Sequence, residues 1–207
     1  MSIIRMIEGA SDADIAGWLA DRLIAALAAA PTGGVAITVP GGNTPFPILA
    51  ELLRHDLPFA RIAVWPGDDR IVPHDHPASN TGRLRAALEP LGTSVVPLTL
   101  DSVPPRFALT WLGMGADGHI ASLFPNTDPR TDDPLPIRQL TPDPLPPEAP
   151  FARLSLTIPA LLATGALMFV IRGEEKRALF EAAMRGENDL PIARLLAASH
   201  LPGTCFC

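Results

Sequence analysis

The chain has 207 residues, 47% hydrophobic and 18% charged, with a formal net charge of −6. That length suits one globular domain with a sizeable core, with at most a small attached lobe. The acidic balance and the lack of any lysine or arginine run argue against a nucleic-acid footprint, although a few focused cations can still hold an anionic small molecule.

About 34 residues precede the first expected strand and read as one helix with a short lead-in. Ile15, Leu19, Leu23 and Leu27 recur every four residues, with Trp18 and Ala26 on the same flank, which is one apolar helix face. Ser11 is the expected N-cap, and Asp12 and Asp14 suit the positive first turn. The apolar stretch "LIAALAAA" ends at Pro31, too short to cross a bilayer, and no signal peptide or membrane association is expected. "VAITV" (35–39) is a buried strand, and "TPFPILAELLRH" a helix with Thr44 as cap and Pro45 at its first position. "RIAVW" (61–65) is the next strand, and "SNTGRLRAAL" the next helix. A weak strand "VVPL" and a stronger one, "FALTWL" (107–112), follow. "DGHIASLF" reads as a short helix, "LSLTI" and "ALMFVI" as strands, and "EEKRALFEAAMRG" as a helix stopped by Gly186. "PIARLLAAS" is the last helix.

Nine prolines between 125 and 150 mark a long extended loop, since proline cannot donate to a ladder. Cys205 and Cys207 are the only cysteines. They exclude a disulfide framework, and with no second pair they read as an incidental tail, consistent with a reduced, cytoplasmic protein. Alternating strands and helices predict an α/β fold. Its sheet is open, mostly parallel and doubly wound, Rossmann-like, with helices on both faces and residues 1–207 in one domain.

In such a sheet, ligands bind beyond the carboxyl ends of the strands. "PGGNTP" follows the first strand. Gly41 and Gly42 allow close backbone approach, and Asn43 and Thr44 add donors at a helix start. This is either a phosphate cradle or an ordinary strand-to-helix turn. Asp68, Asp69 and Arg70 follow the second strand, as an anion grip or a solvated ion pair. His74, Asp75 and His76 have metal-ligand chemistry but alternate in direction along an extended chain and lack a distant third ligand, so no metal is expected. Ser79 and Asn80 cap the next helix, and Asn80 is also in reach of a ligand.

"LGMGADGHIASLFPN" follows the strongest strand. Gly113, Gly115 and Gly118 have dinucleotide-loop spacing, but Pro125 arrives seven residues after Gly118, and no acidic residue follows at the next strand end. No cofactor is expected. Asp117 and His119 instead suit acid–base work, with helix N–H groups aimed at an oxyanion. Arg172, Lys176 and Arg177 open the last long helix, where cations oppose the dipole unless an anion lies between. Arg153 is a weaker candidate. Together these strand ends suit a phosphorylated, hydroxyl-rich small molecule.

"PGGNTP", "GDDRIVPHDHPASN", "LGMGADGHIASLFPN" and "LTIPALLATGALMFVIRGEEK" resemble the 6-phosphogluconolactonases, which are grouped with glucosamine-6-phosphate deaminases and sugar-phosphate isomerases. The third stretch continues "SLFP", as in the lactonases, where deaminases carry Asn-Glu-Pro. The sequence departs from that family at Pro40 and Asn43, where serine is frequent, and at Asp69, where glutamate is usual. The helix usually found before 107–112 is reduced to "LDSVPPR". The resemblance implies hydrolysis of a phosphorylated sugar lactone without metal or cofactor. His119 would be the base that activates water, with Asp117 supporting it or binding a sugar hydroxyl. Gly41, Gly42, Asn43 and Thr44 would receive the phosphate, helped by Lys176 with Arg172 or Arg153. Arg70 would move onto the substrate to stabilise the tetrahedral intermediate, with Asp68 nearby. The rivals are an amino-sugar-phosphate deaminase or isomerase and a non-catalytic sugar-phosphate sensor. The oligomeric state stays open between monomer and weak dimer.

Overall fold

Short β-branched runs alternate with amphipathic helices through most of the chain, and the order of elements follows that alternation. The computed structural model describes residues 4–143 and 150–207. In chain order the elements are β1 (Ile4–Ile7), α1 (Asp12–Ala29), β2 (Val35–Val39), α2 (Pro45–Leu52), β3 (Ile62–Pro66), β4 (Asp68–Arg70), α3 (Asn80–Leu88) and β5 (Ser94–Val95). β6 (Leu109–Leu112), β7 (Ile137–Leu140), β8 (Arg153–Leu156), α4 (Ile158–Leu162), β9 (Leu167–Val170), α5 (Glu174–Met184), α6 (Pro191–Ala198) and β10 (Gly203–Phe206) complete the set. No helix among the described residues is long and apolar enough to cross a membrane.

Seven strands form one sheet in the order β1-β10-β9-β6-β2-β3-β5. Every pairing in it is parallel. The chain builds outward from β2 through β3 to β5, then returns to the other side of β2 with β6 and continues through β9 and β10. The order therefore reverses between β2 and β6. Loops leaving their carboxyl ends diverge there and open a crevice.

Helices cover both faces. On one side Ile15, Leu19, Leu23 and Leu27 of α1 join Ile48, Leu49 and Leu84. On the other Phe169 packs on Phe180 with ring centroids 5.0 Å apart, beside Ile192 and Leu195. The α1 signals behave as expected. Ser11 Oγ accepts from the Asp14 N–H (3.2 Å) and the Ser11 N–H donates to the Asp14 carboxylate (2.9 Å), a reciprocal capping box.

Five expectations require correction. Thr44 makes no capping bond: it already has helical backbone angles, and prolines at the first and third helical positions leave few donors to cap. "DGHIASLF" is not a helix but a run of turns. Ala121 takes a left-handed φ of 49°, and the Ser122 N–H is drawn off to Ser155 Oγ (3.1 Å). The lead-in contains β1, a parallel partner of β10. The proline-rich segment contains β7, which with β8 and β4 forms a separate three-stranded antiparallel sheet in the order β4-β8-β7. Residues 144–149 of that segment lie outside the described residues.

The last correction concerns the cysteines. "TCFC" is no loose tail. Thr204, Cys205 and Phe206 belong to β10, laid between β1 and β9, with Phe206 edge-on to Trp18 at 5.4 Å. Burial pushes the Cys205 thiol up to about 12 from its ordinary 9.0, so at neutral pH it stays protonated and unreactive. A thiol-reactive dye at mildly alkaline pH should therefore modify Cys207 promptly and Cys205 only after denaturant is added. Two equally fast thiols in the folded protein would show that β10 is not seated.

Candidate functional site

The crevice at the β2/β6 reversal is a cleft of about 400 Å³. It collects residues from the loops after β2, β3, β6 and β9, which are the strand ends singled out by sequence. Gly41, Gly42, Asn43, Thr44, Asp68, Arg70, Asn80, His119, Arg172 and Lys176 all line it. Asp117 and Arg153 do not line it and touch it only through His119 and Asp68.

The turn after β2 enters the cleft through Gly41. A Cβ there would overlap the Asn80 side chain, so this glycine is demanded by close approach. Asn80 is 2% exposed and links two groups. Its Nδ2 donates to the Asp68 carbonyl (2.8 Å), and its Oδ1 accepts from the Arg70 guanidinium (2.9 Å). The same Arg70 nitrogen donates to the Ala78 carbonyl (3.0 Å), while Arg70 Nε is buried without a partner.

Asp68 and Asp69 divide their work. Buried Asp68 accepts from Ser122 Oγ at 2.5 Å and lies 4.0 Å from the Arg153 guanidinium. Asp69 faces the start of α3. Its carboxylate accepts from the N–H groups of Asn80 (2.6 Å), Thr81 (3.0 Å) and Arg70 (2.8 Å) and from Ser79 Oγ (3.3 Å). It fixes the helix that carries Asn80, using charge against the positive end of the helix dipole.

The loop after β6 presents the acid–histidine pair. Asp117 Oδ1 sits 2.6 Å from His119 Nδ1 and 3.2 Å from the His119 N–H. The bond from His119 holds the Asp117 carboxyl below its usual range, against the opposing effect of partial burial. A carboxylate only accepts, so Nδ1 carries the hydrogen and Nε2 of the neutral ring keeps its lone pair. The glycine spacing now has steric reasons. A Cβ on Gly115 would overlap the His119 ring, and Gly118 has a φ of 78° and packs on Leu190. The Gly118 carbonyl also accepts from the Ile192 N–H (3.2 Å), tying the loop to α6. With no helix starting here, the expected helix N–H groups aimed at an oxyanion are absent from this loop.

The basic residues separate. Lys176 reaches from the first turn of α5 to the Met114 carbonyl (3.0 Å) at the cleft. Arg172 lines the cleft but also pairs with Asp12 (2.6 Å). Arg177 turns away to Glu8 and Glu181. Arg153, 4% exposed, lies over the Phe124 ring at 5.4 Å, and that ring packs at 4.5 Å against His119. His74 bonds Arg85 (2.9 Å) and His76 accepts from the Ala78 N–H (3.1 Å). No metal-ligating group of three was found among the described residues.

Sequence reasoning missed Arg83, Ser122 and Phe124. Arg83 carried a usable signal, standing three residues after Asn80 on the same helix. Ser122 and Phe124 carried none, because their partners are Asp68 and His119 across turns that were read as helix.

Two overlapping segments, residues 10–101 and 93–202, match the family model for glucosamine-6-phosphate isomerases/6-phosphogluconolactonase. The chain is 32% identical to the 6-phosphogluconolactonase of Neisseria meningitidis serogroup B over 89% of this chain and 90% of that one. It is 34% identical to that of Pseudomonas putida, covering 92% and 85%. The crystal structure of a 6-phosphogluconolactonase from Shewanella baltica superposes with a TM-score of 0.82 at 22% identity, over 100% and 97% of the two chains.

Proposed function

Because the chain belongs to the glucosamine-6-phosphate isomerase/6-phosphogluconolactonase family, we infer that it hydrolyses 6-phospho-D-glucono-1,5-lactone to 6-phospho-D-gluconate in the pentose phosphate pathway, with His119 as the base. The observation that carries this reading is that His119, paired with Asp117 at 2.6 Å, lines the same cleft as the Gly41–Thr44 turn.

The 6-phosphate docks at Gly41, Gly42, Asn43 and Thr44, with Lys176 and Arg172, which line the same cleft. Backbone N–H groups at a turn that enters a helix, plus two cations, suit a dianion. The lactone carbonyl then lies by His119. Water attacks this carbon as Nε2 takes its proton, and the carbonyl electrons move onto oxygen. Arg70 leaves the Ala78 carbonyl and Asn80 to face that oxyanion, since its charge is worth most where negative charge develops. The bond from the carbonyl carbon to the ring oxygen breaks. That oxygen takes the proton from Nε2, and the acid product ionises. Asp117 holds the ring and stabilises the transient imidazolium. Asp68 and Asn80 keep Arg70 poised. Arg153 acts through Asp68 and Phe124. No step calls for a metal, cofactor or nucleic acid, and the reaction belongs in the cytoplasm.

Incubation with freshly generated 6-phosphogluconolactone should release acid well above the spontaneous rate, and glucosamine 6-phosphate should release no ammonia. Ammonia without acid release would assign a deaminase instead, and tight binding of the lactone without turnover a sensor.

A further inference from the structure

The turn expected to receive the phosphate is exposed at Gly42, Asn43 and Thr44, and it contains two consecutive glycines. Gly42 takes a φ of 83°, so the turn depends on a conformation that a free Gly-Gly segment shares with many others. Something must hold it. Thr44 does not, because it makes no capping bond, and Pro45 and Pro47 contribute no N–H. The restraint comes from α3. Arg83 Nη1 donates to the Gly42 carbonyl (2.9 Å) and Nη2 donates to Asn43 Oδ1 (3.1 Å). The guanidinium also lies 4.0 Å from the centroid of the Phe46 ring in the first turn of α2.

We propose that Arg83 is a positioning residue for phosphate recognition: it grips Gly42 and Asn43 with two nitrogens of one rigid fork, holding the turn in its receiving shape. This rests on the lactonase reading only for the identity of the phosphorylated substrate. Arg83 does not line the cleft, so it acts through the turn. With Asn43 Oδ1 engaged by Arg83, the amide nitrogen of Asn43 is the end left to donate, which is the polarity an anion requires. A serine there would present one rotating hydroxyl. Asn43 and Arg83 thus form a matched pair that fixes which atom faces the ligand. The surroundings agree. Partial burial and the nearby Arg70 charge both lower the Arg83 pKa from its ordinary value.

Without Arg83 the turn must be ordered at the moment of binding, a cost that falls on affinity rather than on the chemical step. Arg83→Ala should weaken inorganic phosphate binding, measured by calorimetry, about tenfold. It should raise KM for the phosphorylated lactone by a similar factor, with kcat falling less than twofold. Arg83→Lys keeps the charge but cannot span both oxygens. It should recover little of the loss, whereas millimolar guanidinium added to Arg83→Ala should recover part of it. Full recovery by lysine would reduce Arg83 to a charge and overturn the inference, as would unchanged phosphate affinity and KM in the alanine variant. Phosphate binding that weakens in Arg83→Ala, in a protein that fails to open the lactone, would leave this inference standing and remove the lactonase reading.

Discussion

His119→Ala is expected to lower kcat for the phosphorylated lactone by about 100- to 10,000-fold, the range that a positioned general base contributes. KM should change little, because the proposed phosphate contacts, Gly41–Thr44 and Lys176, lie on other segments. The variant should also fold: the His119 side chain is 30% exposed, and its main neighbours are Asp117 and the ring of Phe124. The lactone opens unaided in water, so the measurement is the excess over the spontaneous rate. Wild-type kcat in a folded His119→Ala protein would remove His119 from the chemistry. The pair also has a defined acid limit. The folded-state Asp117 carboxyl lies below its ordinary value of 3.8 because His119 donates to it. Whatever the pair adds to stability is therefore present above that ordinary value and lost as pH falls through the lowered one. Activity lost on the acid side well above that window reports the catalytic chemistry, not the disruption of this pair.

The second large effect is on stability. Asp69→Ala removes a buried carboxylate that accepts from three N–H groups and a hydroxyl around the start of α3. Hydrogen bonds to a charged group contribute about 1.5–3 kcal/mol each, and donors left buried without partners add their desolvation cost. Solvent can reach some of them after truncation, so the net loss is about 3–5 kcal/mol. In a chain of this size that lowers Tm by roughly 10 °C. Asp69→Asn, which keeps one acceptor but not the charge, should fall between. A Tm within about 2 °C of wild type in Asp69→Ala would mean that α3 is held by packing alone.

Much of the architecture was legible because it rests on local signals. The four-residue spacing of Ile15, Leu19, Leu23 and Leu27, the N-cap at Ser11, and the apolar runs at 35–39 and 61–65 need no tertiary information. What escaped is set by distant partners. β1 and β10 are two halves of one pairing at opposite ends of the chain, and "GTCF" becomes a strand only because β9 and β1 flank it. The same holds at the site. Gly41, Asp68, Arg70, Asn80, His119 and Lys176 could be found from their positions after strands. Nothing local says that the Asp69 carboxylate turns back onto α3 rather than holding Arg70 or facing solvent. "DGHIASLF" (117–124) reads locally as a short helix ahead of Pro125, but it forms turns. The bonds that override it, from Ser122 to Asp68 and Ser155, span 54 and 33 residues.

The central claim is that one cleft takes a phosphate at the Gly41–Thr44 turn and opens a lactone at His119. Its most direct test is kcat/KM for 6-phospho-D-glucono-1,5-lactone against the same lactone without its phosphate. Two or more charge-assisted hydrogen bonds to the phosphate correspond to a preference of at least about 100-fold for the phosphorylated substrate. Equal values for the two lactones would mean that the turn does not read the phosphate, and would contradict the account.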